Sequence, residues 1–293
     1  MSALPHPPGA RPRGSVLRPV ERWHGRGRRL VQDHVADEVP VALVYNDTPF
    51  AVMMATPADL ADFAVGFSLS EGIVDEAGDV AIEGIDELVE GLTIRMRIPG
   101  ARAAELAGRR RNLDGRSGCG VCGSEQLEAS VRHPAPVAAD PRVAACAMQR
   151  ALAALRHGQP LNALTGAVHA AGWAALDGTI LLVREDGGRH NALDKLIGGM
   201  HSAGLAPGAG FLVVTSRASY EMAMKAASAG IALMAAISAP TSLAIALAER
   251  AHLTLVGFAR EDGYAVYSHP QRLLAPAGGG VPAPSRAGGS AAA

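Results

Sequence analysis

Apolar residues in this chain recur with two different periods, and each period predicts a different kind of element. Between residues 39 and 98 the runs are short and alternating. Segments 39–45 and 50–55 read as two strands around an Asn46-Asp47 turn, and Leu92, Ile94, Met96 and Ile98 alternate with Thr93, Arg95 and Arg97 as a half-buried strand. Between them, Leu60, Phe63, Ala64 and Phe67 recur at helical spacing. Thr56 suits the N-cap of that helix, Pro57 its first position and Asp59 its third, with the end near Gly72. Residues 100–118 have no clear period and read as a loop. Residues 141–157 return to helix, with Val143, Met148, Leu152 and Leu155 on one face and Cys146 expected as a small buried residue.

The second half is more regular. Segments 168–174 and 179–184 read as strands joined by Asp177-Gly178. Helix and strand then alternate: helix 191–202, strand 211–215, helix 220–229, strand 231–237, helix 241–251, strand 253–258. Short buried strands separated by helices predict βαβ units and a parallel sheet with right-handed crossovers. The flanks carry no period. Residues 1–29, rich in Pro, Gly and Arg, are expected to be a disordered arm, and 275–293 a disordered tail. Between them, 30–140 reads as a smaller α+β region and 141–274 as an α/β core, an α/β (α+β overall) fold class.

Composition narrows the function. The chain has 293 residues, is 48% hydrophobic and carries a formal net charge of −1, which excludes a protein built mainly to coat nucleic acid. Its bases are almost all arginine; Lys195 and Lys225 are the only lysines. Three cysteines make poor material for a disulfide framework. The N-terminus lacks a signal peptide's apolar region, and the longest apolar stretch, 223–247, is broken by Lys225, Ser228, Gly230, Ser238 and Pro240. These features point to the cytoplasm, with no membrane and no nucleic-acid partner. There a CxxC is catalytic, redox-active or metal-binding more often than structural.

That CxxC is Cys119-Gly120-Val121-Cys122, flanked by Gly118 and Gly123, with Arg109, Arg110, Arg111 and Arg116 upstream. Nearby cations lower a thiol pKa, and the thiolate is the nucleophile, so sulfur chemistry is expected. A second cluster follows from the predicted sheet, because ligands bind at the carboxyl ends of its strands. The loops 185–191, 215–219, 238–242 and 257–263 should open on one rim. Ser216, Arg217, Arg189 and Arg260 there, beside helix starts, suit a phosphorylated ligand. His169 and His190 lie near the rim; Asp194 and Lys195 read as a first-turn charge and a solvated lysine.

On these residues the chain resembles the formate dehydrogenase accessory sulfurtransferase (FdhD) family. The matching segments, in order, are Thr56-Pro57-Ala58-Asp59-Leu60, Gly66-Phe67-Ser68-Leu69-Ser70-Glu71-Gly72, Cys119 to Gly123, Thr165 to Ala171, Glu185 to Lys195, Ser216 to Met222 and Leu253 to Phe258. The resemblance implies a cytidine deaminase-like core, a homodimer, and sulfur passed as a persulfide from a cysteine desulfurase to the molybdenum cofactor (bis-molybdopterin guanine dinucleotide) of formate dehydrogenase. Carried over by position, Cys119 would bear the persulfide and Cys122 would assist it. Phe258, Ala259, Arg260, Glu261, Asp262 and Gly263 would contact the guanine dinucleotide. Two departures stand out: Gly187 replaces the family's usual valine, and Glu261-Asp262 is unusually acidic for a phosphate neighbour. No resident metal is expected. A zinc site would need His169 and His190 to join the two thiols, and no second CxxC exists. The zinc-deaminase signature is missing, since Ala170-Ala171 follow His169. A thioredoxin-like pair fits poorly with glycines on both sides. A non-catalytic cofactor-binding chaperone is the remaining alternative.

Overall fold

The computed structural model describes residues 14–114, 134–260 and 263–274, with side chains of the second helix described through residue 107. Cys119, Cys122, Glu261, Asp262 and the expected tail lie outside the described residues.

The core is a six-stranded mixed sheet, ordered β13-β12-β11-β10-β8-β9. Its strands are β8 (His169–Ala175), β9 (Ile180–Asp186), β10 (Gly210–Val214), β11 (Leu233–Ala236), β12 (Thr254–Gly257) and β13 (Ala265–Ser268). The expected parallel unit is β10-β11-β12, while β8, β9 and β13 pair antiparallel. Alternate residues of β10 serve opposite faces. Leu212 and Val214 pack with α5 (Arg189–Ser202), α6 (Tyr220–Ser228) and α7 (Ser242–Arg250), and Phe211 and Val213 pack with α3 (Ala145–His157). The buried strands β10 and β11 are apolar throughout because both faces are covered. A short helix α4 (Pro160–Thr165) precedes β8, and a small parallel pair joins β7 (Val143–Ala144) to β14 (Leu273–Leu274).

The smaller region has a four-stranded sheet ordered β4-β3-β6-β5. It contains β3 (Val39–Tyr45), β4 (Thr48–Ala55), β5 (Ala81–Leu88) and β6 (Gly91–Arg97), with α1 (Leu60–Ser70) on one face. Asn46 and Asp47 both take positive φ, 46° and 62°, which makes the tight hairpin expected there.

Four expectations change. Residues 15–29 are not a disordered arm: β1 (Ser15–His24) and β2 (Gly27–Ala36) form an antiparallel ribbon that turns at Gly25-Arg26. Proline and arginine hid an alternation in which Val16 faces Val35 and Val20 faces Val31. Residues 100–114 form a helix, α2 (Gly100–Asp114), because alanine and leucine favour helix even where the packed stripe is as narrow as Ala103 and Leu106. Helix α1 starts at Leu60 after Asp59, which has φ 52° and makes no side-chain cap, so Thr56 is not its cap. Cys146 sits exposed on α3, with Ala147, Met148 and Ala151 taking the buried stripe.

Candidate functional site

Strand direction brings the predicted loops together. β9, β10, β11 and β12 all run the same way, so Asp186, Val214, Ala236 and Gly257 end on one edge. His169 joins them because β8 starts there, paired with Asp186. Backbone bonds then lace the loops. Thr241 N donates to Ala218 O (3.1 Å), Ala218 N to Ala239 O (3.2 Å) and Phe258 N to Ser238 O (3.2 Å). Thr215 Oγ1 accepts from Ala170 N at 2.9 Å. The rim is therefore a pre-formed shelf.

The predicted residues take different places on it. Ser216 is buried, its hydroxyl donating to the Arg217 carbonyl at 3.1 Å, whereas Arg217 is exposed. Ala259 is buried and Arg260 exposed; Arg260 N donates to Gly263 O at 2.8 Å, closing the 258–263 loop. Phe258 is half-exposed with φ 51°, a left-handed conformation that a bulky residue adopts only when its surroundings impose it. His190 Nε2 lies 2.8 Å from a Glu221 carboxylate oxygen, an ion-pair distance without hydrogen-bond alignment. Burial lowers the His190 pKa against the pull of Glu221, with Arg189, Lys225 and His169 adding to the lowering. Burial, then Arg189, lowers that of His169. Arg189 Nε and Ser219 Oγ are buried without protein partners, at the starts of α5 and α6. Two helix N-termini and a cationic side chain with unspent donors suit phosphate oxygens.

Below the rim, the same segment becomes a sealed polar joint. Lys195 is not solvated. Its side chain is 0% exposed, its Nζ lies 2.7 Å from Asp186, and it donates to Thr56 O at 2.8 Å. Asp186 also accepts from Thr56 N (3.0 Å), Gly188 N (2.7 Å) and Asn191 Nδ2 (3.1 Å). Thr56, expected as a helix cap, is the hub joining the two sheets; its hydroxyl accepts from Gly187 N at 3.1 Å. Asp194 is buried as well. It meets Lys225 Nζ at 2.9 Å and Ser70 Oγ at 2.6 Å, and burial raises its pKa against both. Glu185 accepts from Leu161 N and Asn162 N, capping α4. The joint needs α1 and α5 in backbone contact, and two glycines allow it. A Cβ on Gly66 would lie 1.7 Å from Asp194 O, and one on Gly198 1.9 Å from Asp62 O.

Sequence reasoning missed a cavity of about 300 Å³ beside the rim, framed by Phe67, Glu71, His190, Tyr220, Glu221 and Lys225. One signal pointed to it: Lys225 is one of only two lysines in an arginine-rich chain, and it lines the cavity paired with Asp194, while the other, Lys195, is buried against Asp186 away from it. Among the described residues no group of three or more His, Cys, Asp or Glu could hold a metal, and no helix is long and apolar enough to cross a membrane.

A mixed α/β core with an anion-suited rim, sealed to a smaller sheet, defines the class. Residues 36–274 match the FdhD/NarQ family, and the chain belongs to it. It is 61% identical over 260 residues to the sulfur carrier protein FdhD of Xanthomonas campestris pv. campestris (strain B100), covering 89% of this chain and 92% of the relative. It is 52% identical over 254 residues to the sulfur carrier protein FdhD of Cupriavidus necator, covering 87% and 88%. The crystal structure of a putative formate dehydrogenase accessory protein from Desulfotalea psychrophila superposes with a TM-score of 0.68 at 25% identity, covering 89% of this chain and 99% of that one.

Proposed function

We propose that this chain is a cytoplasmic sulfur carrier serving formate dehydrogenase. Cys119 takes sulfur from a cysteine desulfurase, and the rim holds the recipient, the molybdenum cofactor in its bis-molybdopterin guanine dinucleotide form, as substrate. In the first step the Cys119 thiolate attacks the outer sulfur of the donor's persulfide. The donor's S–S bond breaks, its electron pair leaves on the donor thiolate, and Cys119 carries the persulfide. Arg189, Arg217 and Arg260 would offer charge to the cofactor's phosphates and Phe258 an aromatic face; a reduced cofactor centre would supply the electron pair that takes the outer sulfur, the S–S bond on Cys119 breaking and Cys119 leaving as the thiolate. Cys122 tunes or resolves Cys119.

The observation that carries the reading is the pair of orphaned donors, Arg189 Nε and Ser219 Oγ, on a rim bearing three arginines in a chain of this family. They fit an anionic ligand. The test is intact-protein mass spectrometry after incubation with a cysteine desulfurase and cysteine. A sulfur-mass adduct on wild type and Cys122→Ala, absent from Cys119→Ala, is expected. No adduct on any form, with an active desulfurase control, would leave the rim to a cofactor-binding chaperone whose function survives Cys119→Ala.

A further inference from the structure

Two histidines meet on the edge of the core sheet away from the rim. His252 follows the C-terminus of α7 and leads into β12, and His269 follows β13, which pairs antiparallel with β12. Their ring centroids lie 5.3 Å apart, with the planes tilted by 57°. Both backbones are left-handed, with φ 54° at His252 and 47° at His269. His252 closes the helix end, where Leu253 N donates to Ala248 O at 2.9 Å and glycine is the usual residue. Backbone outliers at two adjacent imidazoles point to a site.

The surroundings pin the pair. His252 O accepts from an Arg272 guanidinium nitrogen at 2.7 Å, and His269 O accepts from Thr254 Oγ1 at 2.7 Å. Arg272 is itself paired with Asp140 at 3.0 Å, so its charge is met. The His269 Nε2 lies 2.9 Å from Glu249 O. A carbonyl only accepts, so Nε2 carries the proton, and Nδ1 of the neutral ring keeps its lone pair. Metal-bound imidazoles are oriented in this way, the second nitrogen donating to a carbonyl or carboxylate. Among the described residues, neither ring nitrogen of His252 has a hydrogen-bond partner.

We infer that His252 and His269 form a two-histidine site for a divalent transition ion of the zinc type, with water completing the coordination. Imidazole suits such ions. A metal–nitrogen bond of about 2.1 Å and a tetrahedral angle put two coordinated rings about 5 Å apart, centroid to centroid. The observed separation is of that size. Ring packing alone would account for the distance, but not for the fixed tautomer or the two left-handed backbones. With two protein ligands the ion is exchangeable, not resident. It would tie the start of β12 to the end of β13, the two strands that carry the 258–263 loop on the opposite edge. The site stands apart from the sulfur-carrier reading.

Titration of the full chain with zinc chloride at neutral pH, followed through the histidine ring nitrogens by NMR, tests it. The readout is resolved by residue, so zinc taken up by the thiols does not enter it. The His252 and His269 rings should shift together along one binding curve, at zinc concentrations about tenfold or more below those that move the other histidines. His252→Asn should fold, because asparagine tolerates the left-handed backbone, and should weaken the His269 response by about tenfold or more. His269→Asn should do the same to His252. Two rings that titrate separately, a response no tighter than that of the other histidines, or a His269 curve within about threefold of wild type in His252→Asn would overturn the inference. The wild-type titration decides alone if either variant fails to fold.

Discussion

One stretch of chain, Glu185 to Lys195, supplies two polar regions that behave in opposite ways. In the joint, Asp186, Asn191, Asp194 and Lys195 are buried, and every charge meets an opposite one or a backbone donor. On the rim, Arg189 and His190 are half-buried and keep unmatched atoms at the head of α5. The contrast separates two uses of polarity. A satisfied buried network locks elements in one arrangement, and removing a member exposes the cost of the rest. An unsatisfied group beside a helix N-terminus is held ready for something outside the fold. The shared helix makes the second depend on the first, because the joint sets the angle at which α5 presents Arg189 and His190.

The sharpest way to break the comparison is to unpair the joint. Lys195→Met leaves Asp186 charged in a sealed site, so unfolding in urea should show a loss of about 3 to 5 kcal/mol. A loss under about 1 kcal/mol would mean that water reaches Asp186, and the joint would be no more sealed than the rim. Gly198→Ala attacks the same joint sterically. Its Cβ would meet Asp62 O, forcing α1 from α5 at a cost of about 1 to 3 kcal/mol. An unchanged urea midpoint would show that the helices can separate without loss.

Much of the core was legible because burial on both faces writes itself as short apolar runs. The β10-α6-β11-α7-β12 succession follows from Phe211 to Val214, Leu233 to Ala236 and Leu255 to Val256 with helices between. The rim was legible for the same reason, since strand order and direction place the loop residues. The ribbon was not, because its valine face is only half-buried, where α4 packs on β2, and proline and arginine interrupt the alternation. Thr56 misled because a Thr-Pro pair before a helical pattern satisfies local cap rules, while its true partners, Asp186 and Lys195, lie more than a hundred residues away. Lys195 misled because a charge in a helix reads as solvated until a partner strand is known.

On the rim, truncation should act on binding and spare the fold. Arg189→Ala removes a guanidinium whose Nε has no protein partner, so the melting temperature should stay at the wild-type value. Affinity for guanosine diphosphate, followed by calorimetry, should fall about tenfold, or about 1.4 kcal/mol. Unchanged affinity would take Arg189 out of the site; a lowered melting temperature would move it into the joint.

The smallest expected effect is a pH dependence of stability. Burial and Arg189 make His169 harder to protonate in the folded chain than in the unfolded one. The unfolded chain therefore takes up the proton first as pH falls. The His169 contribution is fully present above its unfolded pKa of about 6.5 and is lost as pH falls from there through the lowered folded value. His190 acts in the same direction, with Glu221 opposing it. The wild-type urea midpoint should decline between about pH 7 and pH 5, and His169→Gln should flatten part of that slope. Arg189→Ala should raise the His169 titration midpoint observed by NMR, because it removes the cation that adds to the effect of burial. An unmoved midpoint would mean that Arg189 is screened by water at His169, and that the rim is more open than its half-buried histidines imply.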